Sequence, residues 1–361
     1  MAGNCFGQAF RVITFGESHG AAVGCVVDGC PAGLALDAGT VRRELARRRP
    51  AGGAASTRRS EADEPEILSG VFEGLTLGTP IAIVIRNTGQ QPRDYDKLRD
   101  LYRPGHADLV WDIKYGFRDH RGGGRSSARE TAGRVAAGAV AKAFLAENGV
   151  TVSAWTHSMA GISAPPPGYG DFDTGEAEAN DFRVPSRGTA AKIAAKIEEL
   201  RTAGDSAGGI VECHVCGLSA GLGEPVFDKL DALLAQSVMS IGAVKGIEFG
   251  AGFGSAAMYG SESNDRPLAA VNGKIGFSGN NSGGILGGIS NGNTLVFRAA
   301  FKPVPSIAKK QLTVDRNGRE AEIEIQGRHD ICVCPRAVPV VEAMTALVLA
   351  DLMLRGRAAR L

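Results

Sequence analysis

The stretch that most constrains this chain of 361 residues runs from Ser127 to about Asn148. Ser127-Ala128-Arg129-Glu130 has the form of a capping box, with serine at the N-cap and glutamate three residues on, and Gly149 supplies a stop signal. Between them the predicted helix carries Gly133, Ala136, Ala137, Gly138, Ala139 and Ala141. Side chains this small let neighbouring backbone come very close, so the rest of the fold has to be built around this helix. A second helix, Val338–Leu354, is apolar on nearly every side and is expected to be buried.

The remaining pattern is mixed. Strands are expected over Phe10–Phe15, Ala22–Val27, Pro80–Arg86, Gly209–Val215, Leu295–Lys302 and Glu320–Gln326. Helices are expected over Asp37–Arg49, ended by Pro50, and over Thr189–Ala203 and Lys229–Ser240. Ala51–Ser60, rich in Gly, Ala, Ser and Arg, reads as a mobile loop, and Pro165–Asp181 as an exposed excursion. Hairpin-like strand pairs mixed with helices, rather than a regular βαβ series, predict an α+β fold. No linker divides the sequence, which predicts a single domain over 1–361.

Composition excludes some partners. Apolar residues, at 43%, suffice for a sizeable core, and a net charge of +1 gives no general attraction to nucleic acid or membrane. No apolar run reaches the ~18 residues of a membrane span. Seven cysteines and an N-terminus, Met1-Ala2-Gly3-Asn4, without an export pattern predict reduced thiols in the cytoplasm. Cys213-x-x-Cys216 and Cys332-x-Cys334 have the spacing of metal ligands, but on a strand the first pair points to opposite faces. Both pairs read better as small buried hydrophobes, and no metal is expected.

Charge is not spread evenly. Between Arg42 and Arg134 cationic side chains outnumber acidic ones. This run is either a solvated surface or a pocket for a small polyanion, since guanidinium grips carboxylate and phosphate through paired hydrogen bonds. The pocket is favoured for arginines beside the glycine motifs.

Those motifs carry the chemistry. Gly16-Glu17-Ser18-His19-Gly20 fits the Gly-x-Ser-x-Gly form of a hydrolase elbow, but a second strand follows it where the elbow requires a helix. The alternatives are a plain hairpin turn or a turn that projects His19 as a proton donor. In Arg103-Pro104-Gly105-His106-Ala107-Asp108 the Pro-Gly pair fixes a turn, and Asp108 is placed to accept a ring N–H of His106. Two Gly-flanked histidines among arginines point to acid/base work on an anion. Arg121-Gly122-Gly123-Gly124-Arg125-Ser126-Ser127-Ala128-Arg129 opens the small-residue helix, where free N–H groups and the helix dipole favour an anion. It has no Gly-Lys-Ser/Thr ending and is not a Walker motif. The glycine loop Asn280–Gly292 reads equally as a backbone contact to a planar or phosphorylated ligand and as a bulged hairpin.

Taken in order, Phe15–Gly20, Arg103–Asp108, Arg121–Thr131, the Gly283–Ser290 loop and Arg328–Asp330 resemble the motifs of the chorismate synthase family, and the resemblance covers nearly the whole chain. It implies a β-α-β sandwich, with central helices between antiparallel sheets, assembled as a homotetramer. It implies an anti-1,4-elimination that converts 5-enolpyruvylshikimate 3-phosphate to chorismate and phosphate, with reduced FMN required and NADPH a candidate reductant of the flavin. By the same resemblance His19 protonates the departing phosphate and His106 manages the proton on reduced flavin. Asp330 lies in a relay near the flavin, and Ser18 and Ser127 support it.

The implied FMN contacts are Arg125, Ser126, Ser127, Gly242, Ala243, Gly287, Lys302, Pro303, Val304, Pro305, Ser306 and Arg328. Arg48, Arg49 and Arg134 are implied for substrate or the nicotinamide nucleotide. The chain departs from the family pattern at Gly242, where many relatives have Asn. It departs also in Lys302-Pro303-Val304-Pro305-Ser306, which has one hydroxyl fewer than Lys-Pro-Thr-Ser-Ser, and at Ala54, where the family has arginine. Two rivals remain: a serine hydrolase on Ser18, and a flavin-binding or arginine-rich nucleic-acid module without catalysis. Both require the ordered motifs to be accidental.

Overall fold

The structure, a computed structural model, describes residues 3–49, 62–88, 98–165, 175–270, 275–325 and 330–360. The expected loop Ala51–Ser60, with Ala54, and the expected contact Arg328 lie outside the described residues, as does most of Pro165–Asp181.

Two five-stranded antiparallel sheets bracket a layer of helices. The first contains β1 (Cys5–Phe6), β2 (Arg11–Phe15), β3 (Ala22–Asp28), β4 (Pro65–Ile67) and β5 (Ile81–Arg86), in the order β1-β2-β3-β5-β4. The second contains β6 (Thr151–Met159), β7 (Ile162–Ser163), β8 (Gly209–Cys216), β9 (Val244–Phe249) and β10 (Leu295–Phe301), in the order β9-β10-β8-β6-β7. Alternation sets the faces: Ile81, Ile83 and Ile85 of β5 point inward and are fully buried. The expected strand Glu320–Gln326 is shorter, Glu320–Ile323, and pairs only with Gln311–Val314 in a ribbon outside both sheets.

The helices are α1 (Ala38–Arg48), α2 (Asp108–Tyr115), α3 (Thr131–Glu147), α4 (Arg187–Thr202), α5 (Leu230–Met239) and α6 (Cys334–Gly356). α3 and α6 pack on each other at the centre, with α1 and α5 beside them. α3 leans on β3 and β5, and α6 on β6 and β8, so the expected sandwich is the one observed.

Small residues set these distances. A Cβ on Gly133 would lie 2.6 Å from the carbonyl oxygen of Gly24 in β3. One on Gly138 would lie 2.6 Å from the Cα of Ala343 in α6. Close packing leaves no slack for an added methyl at either contact.

Caps follow the sequence with one difference. Asp37 caps α1, its carboxylate accepting from Thr40 N at 2.7 Å. Ser127 Oγ accepts from Arg129 N at 3.3 Å, but the reciprocal half of the capping box is missing. The Glu130 carboxylate is drawn instead to Thr14 Oγ1 (3.1 Å) and Arg134 Nε (2.9 Å). The segment therefore begins as two 3₁₀ turns, Gly124–Ser126 and Ala128–Glu130, and becomes α-helical at Thr131.

α6 starts earlier than expected, because Pro335 sits in its first turn, where a missing N–H costs nothing. By length and composition it could cross a membrane, with mean hydropathy 1.9, but 89% of that apolar window is buried inside the protein. Two acids on it are buried as well. Glu342 takes Lys142 Nζ at 2.8 Å, Ala154 N at 2.9 Å and the guanidinium of Arg47. Asp351 Oδ1 accepts from the backbone N–H groups of Gln8, Ala9 and Phe10 at 2.6–2.9 Å, fixing the turn between β1 and β2. Cys25, Cys213, Cys332 and Cys334 pack in the core, and burial pushes the Cys25 thiol up to about 12.

Candidate active site

The turns ahead of α3 open into a cavity of about 590 Å³. Its walls come from distant parts of the chain: the end of α1, the Arg103–Ala107 turn, Trp111 of α2, the segment after α5, the exit of β10 and the entry to α6. A site of this kind forms only when the whole sandwich is assembled.

The glycine turn is closed by Arg121, which grips Asp119 with two bonds of 2.8 Å. Burial would raise the Asp119 carboxyl, and Arg121 outweighs it, leaving the group below the usual range. Gly122, Gly123 and Gly124 then take φ of +66°, +92° and +55°, a left-handed run that side chains disfavour. The run brings backbone against both histidines. A Cβ on Gly122 would overlap the His19 ring, and one on Gly123 would lie 2.9 Å from His106 Cε1.

Ser18 and His19 lie in the tight turn between β2 and β3, which pair as an antiparallel hairpin with Phe15 opposite Gly24. No helix follows Ser18, so the hydrolase elbow is not formed. Ser18 reaches the cavity, whereas His19 is only 4% exposed and stands behind it. Ser18 Oγ is 3.1 Å from His19 Nδ1 and 3.3 Å from the carbonyl oxygen of Arg121.

His106 lines the cavity directly. Its Nδ1 is 3.0 Å from Asp108 Oδ1. Arg103 holds the same carboxylate through Nε (2.7 Å), Nη2 (2.8 Å) and its backbone N–H (3.2 Å). Burial alone would raise the Asp108 carboxyl. Arg103 and His106 reverse this and keep it ionised far below the ordinary range.

A cationic wall faces the histidines. Arg48 Nη2 meets Asp63 Oδ2 at 2.6 Å, and the other oxygen of Asp63 pairs with Arg129. Arg336 Nη1 pairs with Asp330 Oδ2 at 2.6 Å. Burial lowers the proton affinity of Arg48 to about 10, and Arg336 and Arg129 add to the effect while Asp63 opposes it, so the group stays charged at neutral pH. Arg125 Nη2 is held by Thr14 Oγ1 (2.7 Å), and Arg134 Nη1 donates to Ser240 Oγ (2.6 Å). Lys302 Nζ donates to Gly105 O at 2.6 Å, tying the exit of β10 to the His106 turn.

Most residues singled out from the sequence meet here. Ser18, His106, Ser127 and Asp330 line the cavity, as do Arg125, Ser126, Gly242, Ala243, Lys302, Val304, Pro305 and Ser306, together with Arg48, Arg49 and Arg134. Three do not line it: His19, Pro303 and Gly287. His19 stands behind Ser18, Pro303 is exposed, and Gly287 is the turn of the hairpin Ile285–Ser290. Asp63, Trp111, Ser240 and Arg336 are wall residues that the sequence reading missed. Asp63 takes its place through Arg48 and Arg129, both distant in the sequence, and its φ of +48° has no sequence signal. At Gly242 a Cβ would meet nothing within 4 Å.

The arrangement brings fixed cations, the glycine turn and His106 to one cavity, with His19 behind it in contact with Ser18. Comparison with known proteins agrees with it. A family model described as chorismate synthase matches residues 10–354. A chorismate synthase of Roseiflexus castenholzii is 54% identical over 361 residues, covering 100% of this chain and 99% of that protein. One from Oleidesulfovibrio alaskensis is 54% identical over 358 residues, covering 99% and 98%. A solved crystal structure of a chorismate synthase superposes with a TM-score of 0.78 at 33% identity, covering 97% of this chain and 93% of that one. The chain belongs to the chorismate synthase family.

Proposed function

We infer that the family's elimination, conversion of 5-enolpyruvylshikimate 3-phosphate to chorismate and phosphate, takes place in the arginine-walled cavity with reduced FMN bound beside the substrate. The observation that carries this reading is the convergence of Arg48, Arg129, Arg134 and Arg336 with His106 and Ser18 on one cavity. The substrate bears two carboxylates and a phosphate, the anions that such a wall recognises. The volume of about 590 Å³ lies in the range of small-molecule and cofactor sites, roughly 300–1,000 Å³.

The residues present fit a flavin nucleotide. Lys302, Ser306, Ser126 and Ser127 offer a cation and hydroxyls for the phosphate tail, and Ala243 and Val304 an apolar face for the ring. When bound, reduced flavin supplies electron density that promotes departure of the phosphate. Ser18 links His19 to the cavity, so a proton on the His19 ring reaches the departing phosphate through the Ser18 hydroxyl. His106 exchanges a proton at Nε2, with Nδ1 engaged by Asp108. Asp330, fixed by Arg336, lies in the relay near the flavin. Arg48, Arg49 and Arg134 hold the substrate anions or a nicotinamide nucleotide that reduces the flavin. We read the chain as one cytoplasmic domain assembling as a homotetramer.

The test is anaerobic release of phosphate from 5-enolpyruvylshikimate 3-phosphate, with dithionite-reduced FMN and with oxidised FMN. Phosphate and chorismate should form only with reduced flavin, and NADPH in place of dithionite tests self-reduction. No product in either case overturns the reading.

A further inference from the structure

We infer that Asp108 is the positioning residue of His106: it locks the ring as the Nδ1–H tautomer, so that neutral His106 presents a bare Nε2 to the cavity. The argument rests on what each atom around Asp108 can do. An ionised carboxylate only accepts hydrogen bonds. Oδ1 lies 3.0 Å from His106 Nδ1 and 2.8 Å from Arg103 Nη2, and Oδ2 takes Arg103 Nε at 2.7 Å and Arg103 N at 3.2 Å. Arg118 Nη1 stands 3.6 Å from Oδ1 and strengthens the positive surroundings. With two guanidinium groups against it the carboxylate has no reason to take up a proton, so the ring nitrogen facing it must carry one.

Arg103 Nη2 also lies 3.1 Å from His106 Nδ1. A bare Nδ1 could accept from it, but that tautomer would set the nitrogen lone pair against an ionised carboxylate at 3.0 Å. Which nitrogen of a histidine carries the proton is set by the partner of the other, and here the partner is buried and pinned. Asp108 is 3% exposed, at the first position of α2, and cannot swing away. On the far side, Gly123 leaves the ring its room: a Cβ there would lie 3.3 Å from Nε2.

The consequence is directional. Neutral His106 accepts a proton or hydrogen bond at Nε2 and can donate there only when the ring is doubly protonated. This rests on the proposed role of His106 for its catalytic meaning, but the tautomer belongs to the protein by itself and is measurable without substrate.

Solid-state ¹⁵N NMR of histidine-ring-labelled full-length protein at mildly alkaline pH reads the tautomer, with His106 identified by its loss in His106→Gln. The expected result is a neutral Nδ1–H ring. In Asp108→Asn the signal should move to the Nε2–H form. Turnover should fall on the order of 10²- to 10⁴-fold, with FMN binding retained and KM changed little, as when an orienting carboxylate is removed from a catalytic histidine. Asp108→Glu should keep the Nδ1–H form and recover part of the rate, which a merely structural role would not require. If Asp108→Asn fails to fold, the wild-type tautomer and the Glu variant still decide. An Nε2–H ring in the wild-type protein, or Asp108→Asn retaining both Nδ1–H and full turnover, overturns the inference. An Nδ1–H ring with normal turnover in His106→Ala would leave the positioning intact and sink the proposed role of His106 instead.

Discussion

Gly122 and His19 occupy adjoining space: a side chain on Gly122 would overlap the imidazole and lie 3.0 Å from Ser18 Oγ. The glycine is required twice, for its φ of +66° and for this contact. Gly122→Ala should therefore displace the His19–Ser18 pair. A positioned proton donor contributes about 10²-fold or more, so turnover should drop by at least ~10-fold. FMN should still bind, because the Arg125 side chain is held by Thr14, outside the glycine turn. Steady-state turnover and flavin binding by fluorescence check this; an unchanged kcat would show that the pair does not need this packing.

The two histidines reach the cavity differently, His106 directly and His19 through Ser18. His19→Ala and His106→Ala should each lower turnover by about 10²-fold or more while FMN still binds. Ser18→Ala should follow His19→Ala, and the double variant should be no worse than either single one, since both changes break the same link. Additive losses would place Ser18 outside the path from His19. Near-normal turnover of both histidine variants would remove them from the chemistry.

What the sequence displayed and what it hid divide along local and non-local lines. Strand and helix limits such as Ala22–Asp28 and Arg187–Thr202 lie within one or two residues of the pattern, because alternation and periodicity are local signals. α6 begins at Cys334 because proline at an N-terminal helical position, here Pro335, is harmless, although it reads as a break. The capping box fails on its glutamate because Thr14 and Arg134 offer Glu130 better partners, and Thr14 is 116 residues away. For the same reason Asp63 was invisible: its role comes from Arg48 and Arg129, which only the fold brings to it. The glycine and histidine turns were legible because their chemistry is written in consecutive residues. Gly287 and Pro303 came with the family's motifs, and on this chain neither lines the cavity.

Asp63 is the shared counter-ion of two buried arginines. Removing one partner of a buried pair leaves an uncompensated charge and costs roughly 3–5 kcal/mol. Asp63→Asn should therefore lower stability by about that much in urea unfolding. It should also loosen substrate binding, because Arg48 and Arg129 lose their common anchor at the cavity wall. A variant as stable as the parent would show that the two guanidinium groups find other partners.

At the crossing of α3 and α6, Gly138 faces the backbone of Ala343. Helix propensity alone would make Gly138→Ala stabilising by about 1 kcal/mol. Overpacking a core contact costs about 1–3 kcal/mol, and the obstacle here is a Cα rather than the flexible end of a side chain. Net destabilisation is expected, seen as a lower urea midpoint with an unchanged slope. A stabilised variant would mean that the two helices separate more easily than their packing suggests.

Glu342 gives the clearest dependence on pH. Burial in α6 would raise its carboxyl, but Lys142 and Arg47 outweigh burial and bring it from the ordinary 4.5 down to about 2. A carboxyl whose folded value is depressed stabilises the fold above its unfolded value. That stabilisation is lost as pH falls through the folded value. The window thus runs from about 4.5 down to about 2, and the difference corresponds to about 3 kcal/mol at neutral pH. Glu342→Gln keeps the shape and removes the charge, leaving Lys142 with Glu44 as its remaining anion. The parent should gain stability steeply as pH rises through that window and then level off. The variant should start closer to the parent at the acid end and fall behind it above pH 4.5. Urea unfolding at a series of pH values measures both curves. Parallel curves across the window would show that Glu342 is not the group whose ionisation the fold depends on.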